Sequence, residues 1–548
     1  MHADGPLTGR PPAVAERGMV ATPHALATEA GVVALRRGGS AVDAAIAANA
    51  VLCVVYPHMA GLGGDAFALI KRPGTPLEAL NASGPAGAAA HRDWYAQRGW
   101  TDAIPDRGPA AALTVPGAVD GWRIAHERHG RLDWSELFAD AIRLAREGFA
   151  VGRSLASWYP KDAGLLRDCA ESSRVFLSDG RPLRLGERLR NPDLARTLEL
   201  VADRGARGAF YEGEVAERLC AGIDGSPLEP DDFAGYAAEW VDPILGGYRG
   251  KTVAQLPPNT QGFTVLQILG MIENYDVASW SDLGVDYLHH VIEATKLSFA
   301  DRDAWLTDPD HEHVPVEELL GSDYLRGRSA EIARDASLDM GDVPSGVPGG
   351  WTGERAVPGG DTCYLSAVDE DGTFVSLIQS IYHDFGSGVV AEGTGVLLQN
   401  RGSFFELDAE HHNSLEPDKR TFHTLIPAMM LDGDEPWAAL GSMGGEGQPQ
   451  TQVAMITRML DFGYDVQQAI EAPRWLTGRT WGSESQDLWL EGRIPDPVVH
   501  ELERLGQPVR MLPDWDDNTG HAQAIRRTEN GFLEGGADPR GDGLALGY

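Results

Sequence analysis

Apolar positions set the first elements. From His24 to Arg37, Ala, Leu and Val recur at helical spacing and stop at Gly38-Gly39, which predicts a helix ending there. Ser40 and Asp43 then supply a capping-box start for a second, Ala-rich helix that must end before Pro57. Gly61-Leu62-Gly63-Gly64-Asp65 reads as a tight turn into a strand over Ala66 to Lys71, with a second strand ending near Asn81. Between Gly117 and Phe299 the pattern is mostly helical, and its clearest amphipathic run is Tyr287 to Phe299.

The character changes at Gly341. Gly and Pro dominate to Gly360, which predicts a mobile loop, and strands follow over Thr362 to Asp369 and Thr373 to Ile381 around a turn at Glu370-Asp371-Gly372. With Gly372 in the left-handed conformation of a three-residue hairpin loop, Asp369 faces Thr373 and Thr362 faces Ser380. The last third predicts short strands, glycine turns and a helix around Gln452 to Phe462.

Composition narrows the function. The chain has 548 residues, 43% of them hydrophobic, and a net charge of −35, so it folds as a globular body and is repelled by nucleic acid and anionic lipid surfaces. The four cysteines form no CxxC pair, and the longest apolar run, Ala44 to Tyr56, is too short to span a bilayer. A cytoplasmic protein without metal or cofactor is expected. Gly61 to Gly64 lacks the third glycine of a dinucleotide loop. Gly250-Lys251-Thr252 lacks the first glycine of a phosphate loop and reads as a strand start. His126 and His129 have the wrong spacing for a helical zinc pair, and His311-Glu312-His313 lies in a solvated loop. No GxSxG elbow occurs.

A Thr opposite a Ser at a sheet edge is more often structural than catalytic, but its position makes Thr362 the candidate nucleophile. A threonine directly after a Gly/Pro-rich loop gains a free α-amine if the preceding peptide bond is cut, and that amine serves as base for the threonine's own hydroxyl. No histidine or aspartate partner is needed. The stretch Leu440 to Gly447 can offer unhindered backbone N–H groups to an oxyanion.

These residues resemble those of the gamma-glutamyltranspeptidases, self-processing N-terminal-nucleophile hydrolases. The resemblance runs through Gly18-Met19-Val20-Ala21-Thr22-Pro23-His24, Gly38 to Ala45, Pro57-His58, Gly61 to Phe67 and Thr114-Val115-Pro116-Gly117. It continues in Asp361-Thr362-Cys363, Phe385-Gly386-Ser387-Gly388, Asp461-Phe462-Gly463, Ala472-Pro473-Arg474 and Gly536-Ala537-Asp538-Pro539-Arg540. It implies an α+β fold, a four-layer αββα sandwich forming a single body. Two autoprocessed chains are implied, a large one over residues 1–361 and a small one over 362–548, held as an intramolecular heterodimer that further dimerisation could enlarge. Thr362 is then the nucleophile freed by cleavage after Asp361, Ser380 its supporting hydroxyl, and Gly444 and Gly445 the oxyanion pair.

The departures bear on substrate. Asn81 stands where the family holds the substrate's α-carboxylate with an arginine, Phe404 where an acidic residue holds the α-amine, and His423 and Thr424 where paired serines line the carboxylate pocket. Tyr382 and Arg401 complete the substrate-binding candidates. Losing both ends of an amino-acid clamp, each worth about 1.5 to 3 kcal/mol, leaves the catalytic residues and alters recognition. This is similar to the acylase-like and amidohydrolase-like branch of the family, with a small-molecule amide as substrate. The alternatives are a true gamma-glutamyltranspeptidase acting on glutathione, with Arg401 or His423 holding the carboxylate, and a non-catalytic binding protein. Retention of Thr362, Ser380, Gly444 and Gly445 speaks against the last.

Overall fold

The structure, a computed structural model, describes residues 8–352, 360–478 and 486–548. Two seven-stranded antiparallel sheets form its centre. The first runs, edge to edge, Leu544–Gly547, Met19–Thr22, Asp361–Val368, Phe374–Tyr382, Asp65–Lys71, Glu78–Ala82 and Glu239–Val241. The second runs Ala13–Ala15, Leu533–Ala537, Ala522–Arg527, Glu435–Ser442, Ala428–Asp432, Lys251–Gln255 and Ile244–Tyr248.

Three apolar layers hold these sheets and the helices together. Phe67, Leu69, Tyr364 and Ile378 of the first sheet meet Met429, Ala439 and Ile525 of the second, so both inner faces are dry. Helices Ala25–Arg36 and Ala41–Val55 cover the outer face of the first sheet. Helices Gly262–Ile272, Val285–Trp305 and Gln448–Leu460 cover the outer face of the second. The result is the four-layer αββα sandwich. Strands buried on both faces explain the near-continuous burial of Asp65–Lys71 and Phe374–Tyr382, each apolar or small at almost every position.

The first two helices end where the sequence predicts. Ser40 and Asp43 form the full capping box, and Gly38 takes φ +88°, the left-handed conformation that closes the preceding helix. The run Tyr287 to Phe299 departs from expectation: it is helical but buried all round, with no polar face to solvent. Its Lys296 survives there by pairing with Glu293 at 2.8 Å and Gln507 at 2.9 Å. The stretch read as mostly helical also contains the strands Glu239–Val241, Ile244–Tyr248 and Lys251–Gln255, the last starting where Gly250-Lys251-Thr252 predicted a strand start. Residues 341–352 of the expected mobile loop run as turns, and residues 353–359 lie outside the described residues. Among the described residues no helix is long and apolar enough to cross a membrane.

Candidate functional site

The hairpin at the centre of the first sheet positions Thr362. From Cys363 opposite Gln379 to Val368 opposite Phe374 the register is the one derived from the turn, and Gly372 takes φ +79°. At the open end the register shifts, because Asp361 pairs with Tyr382. Thr362 therefore faces Ser380 with one extra residue, Ile381, inserted beside it. Such a bulge re-aims side chains, and the backbone turns immediately afterwards at Tyr382, a non-glycine residue at φ +81°.

The two hydroxyls differ in their surroundings. Ser380 Oγ accepts from the Tyr382 N–H at 2.7 Å and from Arg401 Nη2 at 3.5 Å. The Thr362 hydroxyl is 1% exposed and has no hydrogen-bond partner among the described residues. A buried hydroxyl without a partner is costly in a structural role and is what an attacking group needs. The side chain of Asp361 lies outside the described residues.

Gly444 and Gly445 form the turn between strand Glu435–Ser442 and helix Gln448–Leu460. Both have positive φ, +126° and +52°, which glycine adopts without strain. Among the described residues neither N–H has a hydrogen-bond acceptor. The turn abuts the Thr362 strand: a Cβ on Gly445 would lie 3.2 Å from both the backbone N and O of Gly360. Gln261 holds it from behind, its Nε2 donating to the carbonyls of Gly445 at 3.1 Å and Thr424 at 2.9 Å. Arg302 Nη1 in turn donates to Gln261 Oε1 at 3.1 Å, and Arg302 pairs with Glu446 at 3.1 Å.

The remaining candidates line one buried wall. Arg401 is fully buried, donates from Nη1 to Thr424 Oγ1 at 3.2 Å, and lies 4.2 Å from the Tyr382 ring and 5.5 Å from the Phe404 ring. No carboxylate lies within 4 Å of it among the described residues, and burial pulls its pKa down to about 10. Phe404 packs on Tyr382 and Phe422. His423 Nε2 is 3.3 Å from Asp65 Oδ2, and burial, then Arg401, holds its pKa well below the usual histidine range. Asn81 accepts from the Ser83 N–H at 3.0 Å and donates to Asn259 Oδ1 at 3.1 Å. It does not reach for Arg401 or Thr362 in any of its hydrogen bonds.

Asp65, Gln261 and Asn259 were not singled out by the sequence. Asp65 neighbours Ser380 across the sheet and accepts at Oδ1 from the Gly84 and Gly117 N–H groups at 3.2 and 3.1 Å. Burial pushes its pKa up to about 7, against the opposing pull of Arg401. A carboxylate opening a strand that is apolar from Ala66 to Ile70 was the available signal. Gln261 and Asn259 sit in Pro257-Pro258-Asn259-Thr260-Gln261-Gly262, a polar interruption before a mostly apolar helix that carries no mechanism of its own in sequence. Among the described residues no group of three or more His, Cys, Asp or Glu could hold a metal ion.

Comparison with known proteins agrees with this geometry. The gamma-glutamyltranspeptidase family profile matches residues 27–548. The glutathione hydrolase-like YwrD proenzyme of Bacillus subtilis is 45% identical over 96% of this chain and 98% of its own. The oxamate amidohydrolase proenzyme of Klebsiella pneumoniae is 43% identical over 98% of this chain and 99% of its own. The crystal structure of cephalosporin acylase from Bacillus halodurans superposes with a TM-score of 0.88 at 36% identity, covering 99% of this chain and 97% of that one.

Proposed function

The chain belongs to the gamma-glutamyltranspeptidase family, and from that premise we propose that it is an autoprocessed threonine amidohydrolase or acylase acting on a small-molecule amide. Cleavage of the Asp361–Thr362 bond gives chains 1–361 and 362–548 and frees the Thr362 amine. In turnover that amine takes the proton of the Thr362 hydroxyl as Oγ1 bonds to the substrate's carbonyl carbon. The N–H groups of Gly444 and Gly445 receive the oxyanion, and Ser380 supports the attacking oxygen. Collapse breaks the C–N bond, the amine passes its proton to the leaving nitrogen, and water then releases the acid from the acyl-threonine by the same steps.

The observation that carries this reading is the buried Thr362 hydroxyl facing Ser380 beside the N–H groups of the glycine turn, all of them without a partner among the described residues. The relatives named as proenzymes, an amidohydrolase and an acylase support it. Gamma-glutamyl transfer is less well supported, since Phe404 among Tyr382 and Phe422 offers an α-amine no acceptor from its own side chain. The deciding experiment pairs intact-mass measurement with hydrolysis of a panel of aryl amides, in wild type and Thr362→Ala. Two chains and turnover are expected in the former, one inert chain in the latter. Turnover by an uncut chain would remove the mechanism.

A further inference from the structure

The glycine-rich stretch ahead of Thr362 is bolted to a helix along part of its length. Asp301, buried on helix Val285–Trp305, accepts at Oδ1 from the Ser345 hydroxyl at 2.9 Å and from the Gly346 N–H at 3.0 Å. Its Oδ2 accepts from Gln267 Nε2 at 2.9 Å and from the Tyr324 hydroxyl at 2.6 Å, so both oxygens are engaged. Arg328 Nη2 lies 3.9 Å from the same carboxylate and donates to the Pro344 carbonyl at 3.1 Å. Farther along, the Trp351 N–H donates to the Ala304 carbonyl at 2.9 Å. Glycine here serves close approach: a Cβ on Gly346 would lie 2.5 Å from the Tyr324 hydroxyl, and one on Gly350 2.9 Å from the Trp305 ring. The composition that predicts mobility thus builds a tight seam.

Between these anchors the chain delivers Val347 to the wall of the candidate site. Val347 is 8% exposed and shares one apolar cluster with Leu306, Leu319, Tyr382, Phe404 and Phe422. Beyond it the Trp351 ring packs on His411 at 4.6 Å, His411 Nδ1 accepts from the Asn413 N–H at 2.9 Å, and Asn413 Nδ2 donates to the Phe404 carbonyl at 2.7 Å. Residues 345–351 therefore reach Phe404 twice, through the cluster around its ring and through its backbone. In a close-packed interior, a ring yields to a ligand only as far as the groups behind it allow.

We propose that Val347 is a positioning residue for Phe404, held by the Asp301 anchor, and that it sets how large an acyl group the site accepts. The proposal rests on the amidohydrolase reading above. Every anchor named lies upstream of Asp361, so scission at the Asp361–Thr362 bond removes none of them. The large chain thereby backs a wall whose inner ring belongs to the small chain.

The test uses processed full-length protein and the anilides of acetic, butyric and phenylacetic acid. Val347→Ala opens space behind Phe404 and should raise the phenylacetyl-to-acetyl ratio in kcat/KM about tenfold, while Val347→Leu should lower it by a similar factor. Asp301→Asn, which weakens the anchor, should move the ratio in the direction of Val347→Ala. A merely destabilised protein would lose rate on all three anilides alike and leave the ratio where it was. Ratios within about twofold of wild type in the processed Val347 variants overturn the inference. Intact mass shows whether each variant has processed, and where neither has, hydrogen exchange on the wild type decides. The Gly346 and Trp351 amides should be protected roughly 10²-fold or more in the processed protein, as in the uncut Thr362→Ala chain, and loss of that protection on scission overturns the inference. Anilide cleavage with unmoved ratios sinks this inference and spares the proposed function. A processed protein that cleaves no amide at all overturns both.

Discussion

The side-chain amide of Gln261 donates to the carbonyl oxygen of Gly445 at 3.1 Å, and the same nitrogen reaches the Thr424 carbonyl at 2.9 Å. One buried residue thus fixes the turn bearing the candidate oxyanion donors relative to the wall bearing Arg401's partner.

Gln261→Ala should therefore misplace the Gly444 and Gly445 N–H groups without touching substrate. We expect kcat to fall on the order of 10- to 10²-fold with a much smaller change in KM, since such donors act on the developing charge and little on the ground state. Steady-state kinetics on fully processed protein check it. An equal loss in both parameters would point to a collapsed pocket.

Thr362→Ala should abolish both chain cleavage and turnover. Ser380→Ala should leave the fold intact and slow catalysis roughly 10²- to 10³-fold, comparable to losing one well-placed transition-state hydrogen bond. Intact mass and single-substrate rates separate the two roles. A near-wild-type rate in Ser380→Ala would break the assignment made from the hairpin register.

Asp65 gives the site a pH dependence of definite sign. Its carboxyl is held at a raised pKa of about 7 by burial, so below that pH it is neutral and Arg401 is the uncompensated charge of the wall. The facing titratable and charged groups are Arg401, His423, Tyr211 and Tyr236, of which His423 stays neutral because burial depresses it and the tyrosines stay neutral because burial raises them. As pH rises through about 7 Asp65 ionises, and kcat/KM for an acid-bearing amide should fall relative to that for its neutral counterpart. Taking the ratio cancels the opposite, rising limb of the Thr362 amine, whose ordinary pKa is about 8. Asp65→Asn should flatten the ratio, and a ratio independent of pH in wild type would refute the coupling. The same burial makes Asp65's contribution to stability greatest below the ordinary carboxylate range and progressively lost up to about pH 7.

Glutaryl anilide should be cleaved at least as well as γ-glutamyl anilide, because the extra α-amine would lose water against Phe404 without a partner from that side chain. A 10²-fold preference in kcat/KM for the γ-glutamyl compound would promote glutathione-type chemistry.

Sequence and structure meet most closely where a rule is local. Ser40 and Asp43 sit three residues apart and cap one helix, and Gly372 sets the hairpin register from Cys363 opposite Gln379 to Val368 opposite Phe374; both follow from a few neighbouring residues. The bulge at Ile381 could not be read, because it depends on how Tyr382 turns onto Arg401 from another segment. The helix Val285–Trp305 misled for a related reason: His289, His290, Glu293 and Lys296 mimic a solvent face, yet each is buried, Glu293 and Lys296 against Gln507 more than 200 positions away. Asp65 and Gln261 bond to partners 19 to 358 positions away, so nothing near them in sequence announces their work.

The placement of Gly360 against Gly445 and the Tyr382 ring has a consequence for when the protein can act. In the uncut chain the backbone just ahead of Thr362 stands where an incoming acyl group would meet the glycine turn, so the molecule is at first its own occupant. A single scission would then do two jobs at once, arming the nucleophile and evicting the tenant. Strands Asp361–Val368 and Phe374–Tyr382 remain sewn between Met19–Thr22 and Asp65–Lys71 on either side, so the pieces have no route apart short of unfolding. Each copy would pass once, irreversibly, from self-sealed to open, and size-exclusion chromatography should find the two pieces eluting together without denaturant.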